Sequence, residues 1–546
     1  MRRRIGRMLL LLGLLASASS TLFGQERWIY RYNGLADSSD NASSIVVGTD
    51  GNLYVAGTSY GSGTYDDLTV VSLTDSGDER WVYRYNGPGN YEDEAHAIAM
   101  GLDGNLYVAG ASHGSGTLLD FTVVSLTALG EERWIYRRDG SRNYHDQAFS
   151  VVMGSDGNLY AAGISSGSVN LDEFTVVGLT DSGSERWVYQ YDSPGIGPNG
   201  ARTVVVGFDG YLYAAGLSQG DTTISDFTVV SLTDSGAERW VYRYSGIHNG
   251  SDQAYSIVVG SDSNLYAIGG SQGTGTSYDF IVVSLTDLGM ERWVYRYNGP
   301  ADGMDYAYSV ATGVDGNLYV AGWSEGSGTF MDFTVVSLTD SGAERWVYRY
   351  DGSAHGSDMA NSIVTASDGC IYVAGWSKES GTGGDFTVVS LDTAGVERWV
   401  YRYDGPANYH DAAYSIDIGS DGDLYAAGRS AGSATGDDLT VVRLGPDVGV
   451  EERSSRRSPP DLSLSENEPN PFSHSTVITY SPPTSAHITL AVYDITGRLV
   501  ETLVSETQQP GMHRVRWNRG SNPSGVYFYS LRAGEFIETA KMVVVD

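Results

Sequence analysis

Acidic residues recur in this sequence at fixed distances from a repeated Glu-Arg-Trp triplet. Twelve residues after the triplet's tryptophan stand Asp40, Asp93, Asp146, Asn199, Asp252, Asp305, Asp358 and Asp411. Thirty-nine residues after it stand Asp67, Asp120, Glu173, Asp226, Asp279, Asp332, Asp385 and Asp438. Carboxylates gathered on one face are ligands for hard cations such as calcium, which makes the seven aspartates of the first series candidate metal ligands. The competing reading is that each carboxylate accepts hydrogen bonds from backbone amides and fixes a loop. A residue present in nearly every copy is most simply explained by something every copy needs. No DxDxDG calcium loop occurs, so calcium rests on general acidity alone and no other cofactor is indicated.

Catalysis finds less support. His96, His113, His145, His248, His355 and His410 are scattered, and of these only His145 and His410 occupy equivalent places. A metal site or catalytic triad needs convergent groups with distinct roles, and this pattern supplies none. Paired carboxylates can hydrolyse glycosides, but so many equivalent acids single out no pair. No catalytic residue is assigned. Tyr60, Trp323 and Trp376 are positioned either to stack on sugars near the loops or to pack between repeats. The lone cysteine, Cys370, occupies a turn position that other copies mostly give to Asn, and reads as drift rather than as a nucleophile.

The elements that hold these residues follow from the spacing. The tryptophans fall at 28, 81, 134, 187, 240, 293, 346 and 399, every interval being 53 residues. Each unit contains four short runs of strand character, as in "AHAIAMG" (95–101), "NLYVAG" (105–110), "DFTVVSL" (120–126) and "RWVYRY" (80–85), separated by Gly, Asp, Asn and Ser clusters. Asp-Gly turns such as Asp103-Gly104 close the tight hairpins. Four antiparallel strands at a period near 50 predict an all-β, eight-bladed β-propeller over residues 26–449. The small, β-branched "SIVVG" run suits the crowded inner strand, labelled a, and the Trp- and Tyr-rich run suits the outer strand d. The repeat then begins on a lone strand d, Glu26 to Tyr32, which must complete the last blade and clasp the ring. On this topology both acidic series share one face.

Residues 1–24 combine Arg2, Arg3, Arg4 and Arg7 with an apolar run and small residues, the layout of a secretory signal peptide. No segment of the mature chain is apolar for long enough to span a bilayer. The formal net charge is −33, and removal of the leader takes four arginines and no acid. So acidic a chain excludes nucleic acid and anionic lipid as partners and leaves cations, glycans or protein ligands at the propeller face. With a single cysteine the fold cannot be a disulfide framework.

The repeat "SDxAxSIVVGxDGNLYVAG…DFTVVSLTDSGxERWVYRYxG" resembles the bacterial SBBP-type propeller repeat. A quinoprotein propeller is similar in its blade-closing Gly and Trp, but inserted loops and vicinal cysteines are missing. After a polar linker at 450–461, residues 462–546 carry alternating β segments of a small sandwich. There Pro469, Asn470, Pro471 and Phe472, then Tyr493, Asp494 and Gly497, then Gly525 and Tyr527, and finally Lys541, resemble the C-terminal sorting domain of the type IX secretion system, which is Ig-like. The chain ends on Asp546 where members often finish on a basic residue. The resemblance implies the type IX machinery as a partner and delivery to the outer-membrane surface, or beyond it, in a Gram-negative bacterium. Taken together, the sequence indicates an exported, non-catalytic binding scaffold. The alternatives are a secreted carbohydrate-active or quinoprotein-like enzyme and a structural surface-layer component.

Overall fold

The computed structural model describes residues 25–445 and 463–545, apart from 168–171, 248, 276, 434, 465–466, 468, 482–485, 495–497, 510–512, 521 and 534–535. The signal peptide expected at 1–24 and the linker expected at 450–461 lie outside the described residues. Contacts divide the chain into two compact units, Met1–Val450 and Glu451–Asp546. Among the described residues no helix is long and apolar enough to cross a membrane.

The first unit is an eight-bladed β-propeller. Seven four-stranded antiparallel sheets follow one another along the chain, each in the order a-b-c-d. In the first, the strands are Asp40–Val47, Leu53–Tyr60, Asp66–Leu73 and Glu79–Tyr85. The eighth sheet takes strands a to c from Ala412–Ile418, Leu424–Ala431 and Asp437–Gly445 and its strand d from Gln25–Tyr32. The expected clasp is therefore present: Gln25 pairs with Gly445 and Tyr32 with Leu439.

Strands a and b run further than their apolar stretches. In the second blade they span Asp93–Met100 and Leu106–His113, because a backbone ladder needs no apolar side chain to continue. Several of the acids expected just ahead of strand a, among them Asp40, Asp93, Asp252 and Asp305, are thus its first residue.

The core is built between blades. Tyr54, Ala56, Leu68 and Val70 of one blade pack on Ala95, Ile98, Leu106 and Val108 of the next. The last such layer sets Tyr425, Ala427, Leu439 and Val441 against Ala42, Ile45, Leu53 and Val55, closing the ring. Burial of this kind is the main favourable term in folding, and here each blade supplies half of two cores.

Three polar contacts recur at the junctions. On the outside, a strand d tyrosine donates to the triplet glutamate of the next blade, from Tyr30 with Glu79 (2.6 Å) round to Tyr401 with Glu26 (2.7 Å). Beside it the triplet tryptophan donates from Nε1 to a turn carbonyl of the next blade, as Trp293 does to Asp340 (3.0 Å). On the inside, a strand a serine accepts an amide proton from the next strand a: Ile98 N–H to Ser44 Oγ (3.3 Å), and across the closure Ile45 N–H to Ser415 Oγ (3.2 Å).

The second unit is a β-sandwich. A three-stranded sheet of Ser463–Leu464, Ser475–Ser481 and His513–Asn518 accompanies a four-stranded sheet ordered Leu499–Gln508, Ala486–Asp494, Gly525–Ala533, Phe536–Val544. Its core includes Phe472, Ile478, Leu490, Trp517, Tyr529 and Met542.

Candidate functional site

Strand a of every blade carries a β-bulge, and the bulged residue lies fifteen positions after the preceding triplet tryptophan. The eight residues are Ser43, His96, Phe149, Arg202, Tyr255, Tyr308, Asn361 and Tyr414. A bulge leaves one residue unpaired and re-aims its side chain. Strand a is the inner edge of each sheet, so the bulged residues meet around the mouth of the central channel. His96 lies against Phe149 (5.3 Å between rings), the Arg202 guanidinium lies over Phe149 (4.9 Å), and Tyr255 meets Tyr308 edge-on (5.1 Å). The flanking columns are nearly uniform, whereas this one varies from blade to blade. Burial, reinforced by Arg202, pushes the His96 imidazole down to about 4 and keeps it neutral.

Between the fifth and sixth blades the ring deepens into an aromatic cluster. Tyr306 stacks on Tyr278 (5.1 Å) and on Tyr308 (6.3 Å) and touches Trp323 (5.2 Å) and Tyr255 (6.1 Å). Trp323 donates from Nε1 to the Tyr308 hydroxyl (3.1 Å). A second aromatic series, Tyr60, Tyr65, Tyr91 and His113, continues on the same face with Tyr65 and Tyr91 stacked at 5.0 Å and both exposed. Trp376 packs on His410 (4.7 Å). The three aromatics singled out from the sequence thus belong to three separate groups.

The two acidic series do lie together: Asp40 and Asp67 flank Ser59 in adjacent strands. The first series ties the d-to-a connection to the end of strand b. Asp93 accepts from Gly87 N–H (2.6 Å) and His113 N–H (3.0 Å), Asp358 from Gly352 N–H (3.0 Å) and Lys378 N–H (2.7 Å), and Asp411 from Gly405 N–H and Ala431 N–H (2.8 Å each). Asp40, Asp146, Asp252 and Asp305 make at least one such bond each. All seven are buried. Burial pushes Asp40, Asp93, Asp146 and Asp305 above the usual carboxylate range, Asp252 up to about 6 and Asp358 up to about 7.

The second series pairs with a strand d arginine. Arg84 reaches Asp67 (2.8 Å), Arg137 Asp120 (2.6 Å), Arg296 Asp279 (2.7 Å), Arg349 Asp332 (2.5 Å) and Arg31 Asp438 (2.7 Å), and Arg243 contacts Asp226. Two blades depart from this pattern: the third has Gln190 in place of the arginine, and in the seventh Arg402 turns to Glu379 (3.0 Å). The turn aspartates have a local task. Asp50 accepts from the Asn52 amide N–H (3.0 Å) and side chain (2.7 Å) and from the Tyr54 hydroxyl (2.7 Å). Burial alone would raise its pKa, but these bonds hold it below the usual value.

In the sandwich, Asn470 donates to the Lys541 carbonyl (3.2 Å) and accepts from Val543 N–H (2.9 Å), pinning the segment from Pro469 through Pro471 along the last strand. Phe472 is buried against Trp517 (5.8 Å), as is Tyr527 (5.4 Å), whose hydroxyl donates to the Pro523 carbonyl. Asp494, next to half-buried Tyr493, accepts from the backbone and side chain of Arg498 (3.1 and 3.0 Å), closing its turn. Gly525 opens the strand that follows, and Lys541 is exposed. Gly497 lies outside the described residues.

Residues 469–545 match the family model described as a secretion system C-terminal sorting domain. The tail is a secretion-system sorting domain. The protein is accordingly exported, to the cell surface or the extracellular space, by the type IX route. No curated protein matches the chain. Among solved structures the chain is similar to PorZ, described as an essential bacterial surface component of the type IX secretion system of Porphyromonas gingivalis, with 12% identity, 91% of this chain and 68% of PorZ covered, and a TM-score of 0.41. It is also similar to a eukaryotic initiation factor, with 9% identity, coverage of 90% and 93% and a TM-score of 0.36. Drosophila plexin A in complex with semaphorin 1b is a third, with 10% identity, coverage of 78% and 88% and a TM-score of 0.35. Likenesses this distant carry no argument about function.

Proposed function

We propose that this protein is a non-catalytic glycan-binding scaffold, displayed at or released from the cell surface, that takes its ligand at the channel mouth. The observation that carries the reading is the aromatic cluster of Tyr255, Tyr278, Tyr306, Tyr308 and Trp323. It is built on positions that vary within an otherwise uniform repeat. Function resides in sites grafted on a scaffold, and such rings offer apolar faces with hydroxyls at their rims. Most acids of the same face are committed to amides and arginines, which supports binding over turnover.

The test is retention of the purified chain on immobilised polysaccharides, with release of reducing ends followed in parallel. Retention without release is expected. Tyr278→Ala and Tyr306→Ala should each weaken it about threefold to tenfold, the worth of one aromatic contact. Release of sugar would overturn the non-catalytic reading, and retention indifferent to both substitutions would overturn the site.

A further inference from the structure

The junction between the seventh and eighth blades differs chemically from its counterparts. The residue thirty-three positions after the triplet tryptophan is Gly61, Gly114, Gly167, Gly220, Gly273, Gly326 and Gly432 in seven units and Glu379 in the remaining one. In several other blades this glycine lies directly on the acid or the arginine of the second series. A Cβ on Gly114 would stand 2.9 Å from Asp120 Oδ2 and 3.1 Å from Arg137 Nη2, and one on Gly326 would stand 2.7 Å from Asp332 Oδ2. Glu379 puts a carboxylate where no side chain otherwise fits. Its Oε1 takes Arg402 at 3.0 Å, and the guanidinium also contacts the Tyr350 hydroxyl.

Asp385 consequently lacks the arginine ion pair that six of its equivalents have. It is 4% exposed, and its Oδ1 has no hydrogen-bond partner. The same oxygen is unpartnered in Asp67, Asp120, Asp226, Asp279 and Asp332, but each of those carboxylates is neutralised by its arginine through Oδ2. Asp404 and Asp411 converge on Asp385, one oxygen of each lying within 4.8 Å of the others. Asp411 is fully buried and held by two amides, and each of its oxygens keeps a lone pair free for a further partner. The neighbouring junction gathers Asp332, Asp351 and Asp358 in the same way, but there Arg349 remains on Asp332 at 2.5 Å.

We propose that Asp385, Asp404 and Asp411 bind one hard divalent cation of the calcium class, and that Glu379 creates the site by withdrawing Arg402. Three carboxylate oxygens, two from buried side chains, are the ligand type calcium takes. The cation supplies the positive charge that the arginine supplies elsewhere and joins strand c of one blade to the connection that leads into strand a of the next. The glycan reading is independent of this site, since no aromatic of the five-ring cluster belongs to it.

Calcium titration by calorimetry, with terbium luminescence sensitised by nearby Trp376, tests the proposal on the purified full chain. One equivalent should bind, with a Kd on the order of 10⁻⁴–10⁻³ M as in extracellular calcium modules. Asp404→Asn should weaken binding at least about tenfold, as expected when one of three charged ligands is removed. Glu379→Gly should do the same although it removes no carboxylate of the triad, because it frees Arg402 to return to Asp385. That substitution installs the residue found in seven other units, so the fold tolerates it, and a cation-free melt checks this. Asp351→Asn, in the neighbouring cluster, should leave binding unchanged. Absence of binding at millimolar calcium would overturn the proposal, as would binding that survives both Asp404→Asn and Glu379→Gly.

Discussion

Replacing Asp358 by Asn should invert its effect on stability across a narrow pH range. The carboxyl is buried, and burial, with Asp351 and Asp332 close by, pushes it up to about 7 from an ordinary value of 3.8. The folded state therefore holds a proton that the unfolded chain releases near pH 4. Folding is favoured by this group at low pH, and the advantage is lost as pH rises towards 7, at about 1.4 kcal/mol per unit. Between pH 5 and 8 the wild type should lose about 2–3 kcal/mol from this group alone. Asn does not titrate, and Asn199 shows that the column accepts it: Oδ1 receives Gln219 N–H at 2.7 Å while Nδ2 donates to the Asp172 carbonyl at 3.2 Å. At position 358 the amide can serve Lys378 N–H but not Gly352 N–H as well, a loss of about 1 kcal/mol. Asp358→Asn should thus be about 1 kcal/mol less stable than wild type at pH 3, where both states hold the proton, draw level between pH 4 and 5, and be about 3 kcal/mol more stable at pH 8. Urea unfolding of both proteins at four pH values measures the difference, in which the other raised acids, Asp252 and Asp385, cancel. A difference that stays flat from pH 5 to 8 would refute the assignment of the proton to Asp358.

Two further outcomes test the architecture. Deleting residues 25–33 removes seven paired positions of the clasp and the Tyr401–Glu26 bond. At about 1 kcal/mol per hydrogen bond this approaches the whole stability of a typical domain, so size-exclusion chromatography should show association or unfolding, and a monomer with an unchanged melt would count against closure. Gly316→Ala and Gly342→Ala both force a positive φ, 75° and 84°, for about 1–2 kcal/mol each. A Cβ at 342 also meets Trp293 at 2.6 Å whereas one at 316 meets nothing within 4 Å, so Gly342→Ala should cost at least about 1 kcal/mol more in the same unfolding assay.

Much of the propeller was legible because it repeats: a 53-residue interval with turn aspartates and glycines in register admits few architectures, and the orphan strand at the front named its own partner. The "SIVVG" run was read as small for reasons of crowding. Its serine has a second task, accepting the next blade's amide, which no pattern of size reveals. The bulge was hidden because one extra residue in a strand does not disturb an alternating pattern until the partner strand is known. Phe149, Arg202, Tyr255 and Tyr308 escape a reading of the sequence, and His96 enters it only as one of several scattered histidines, for the same reason that they matter: attention to constant columns discards the varying one. The acids illustrate a different barrier. An aspartate that holds an amide and one that faces a cation have the same name at the same spacing, and the residue that separates them, Glu379, is visible as the exception in a column of glycines. In the tail, the motif residues proved to be the sandwich's own fastenings, as with Asn470 and Phe472 along the last strand.

The clasp also sets an order of events. Glu26 is among the first residues of the ring to be made, yet its partner Leu444 emerges some 400 residues later. Closing a loop of that length rather than one of about 50 residues costs only roughly 2 kcal/mol more, so the delay is a matter of time rather than of equilibrium. Until the last hairpin arrives, one strand has no sheet and one sheet has a bare edge, each a template for the same sequence in a neighbouring molecule. With eight near-identical units in every chain, mispairing has many equivalent addresses. A protein built this way is best kept apart from its siblings until its final blade has left the machinery that carries it.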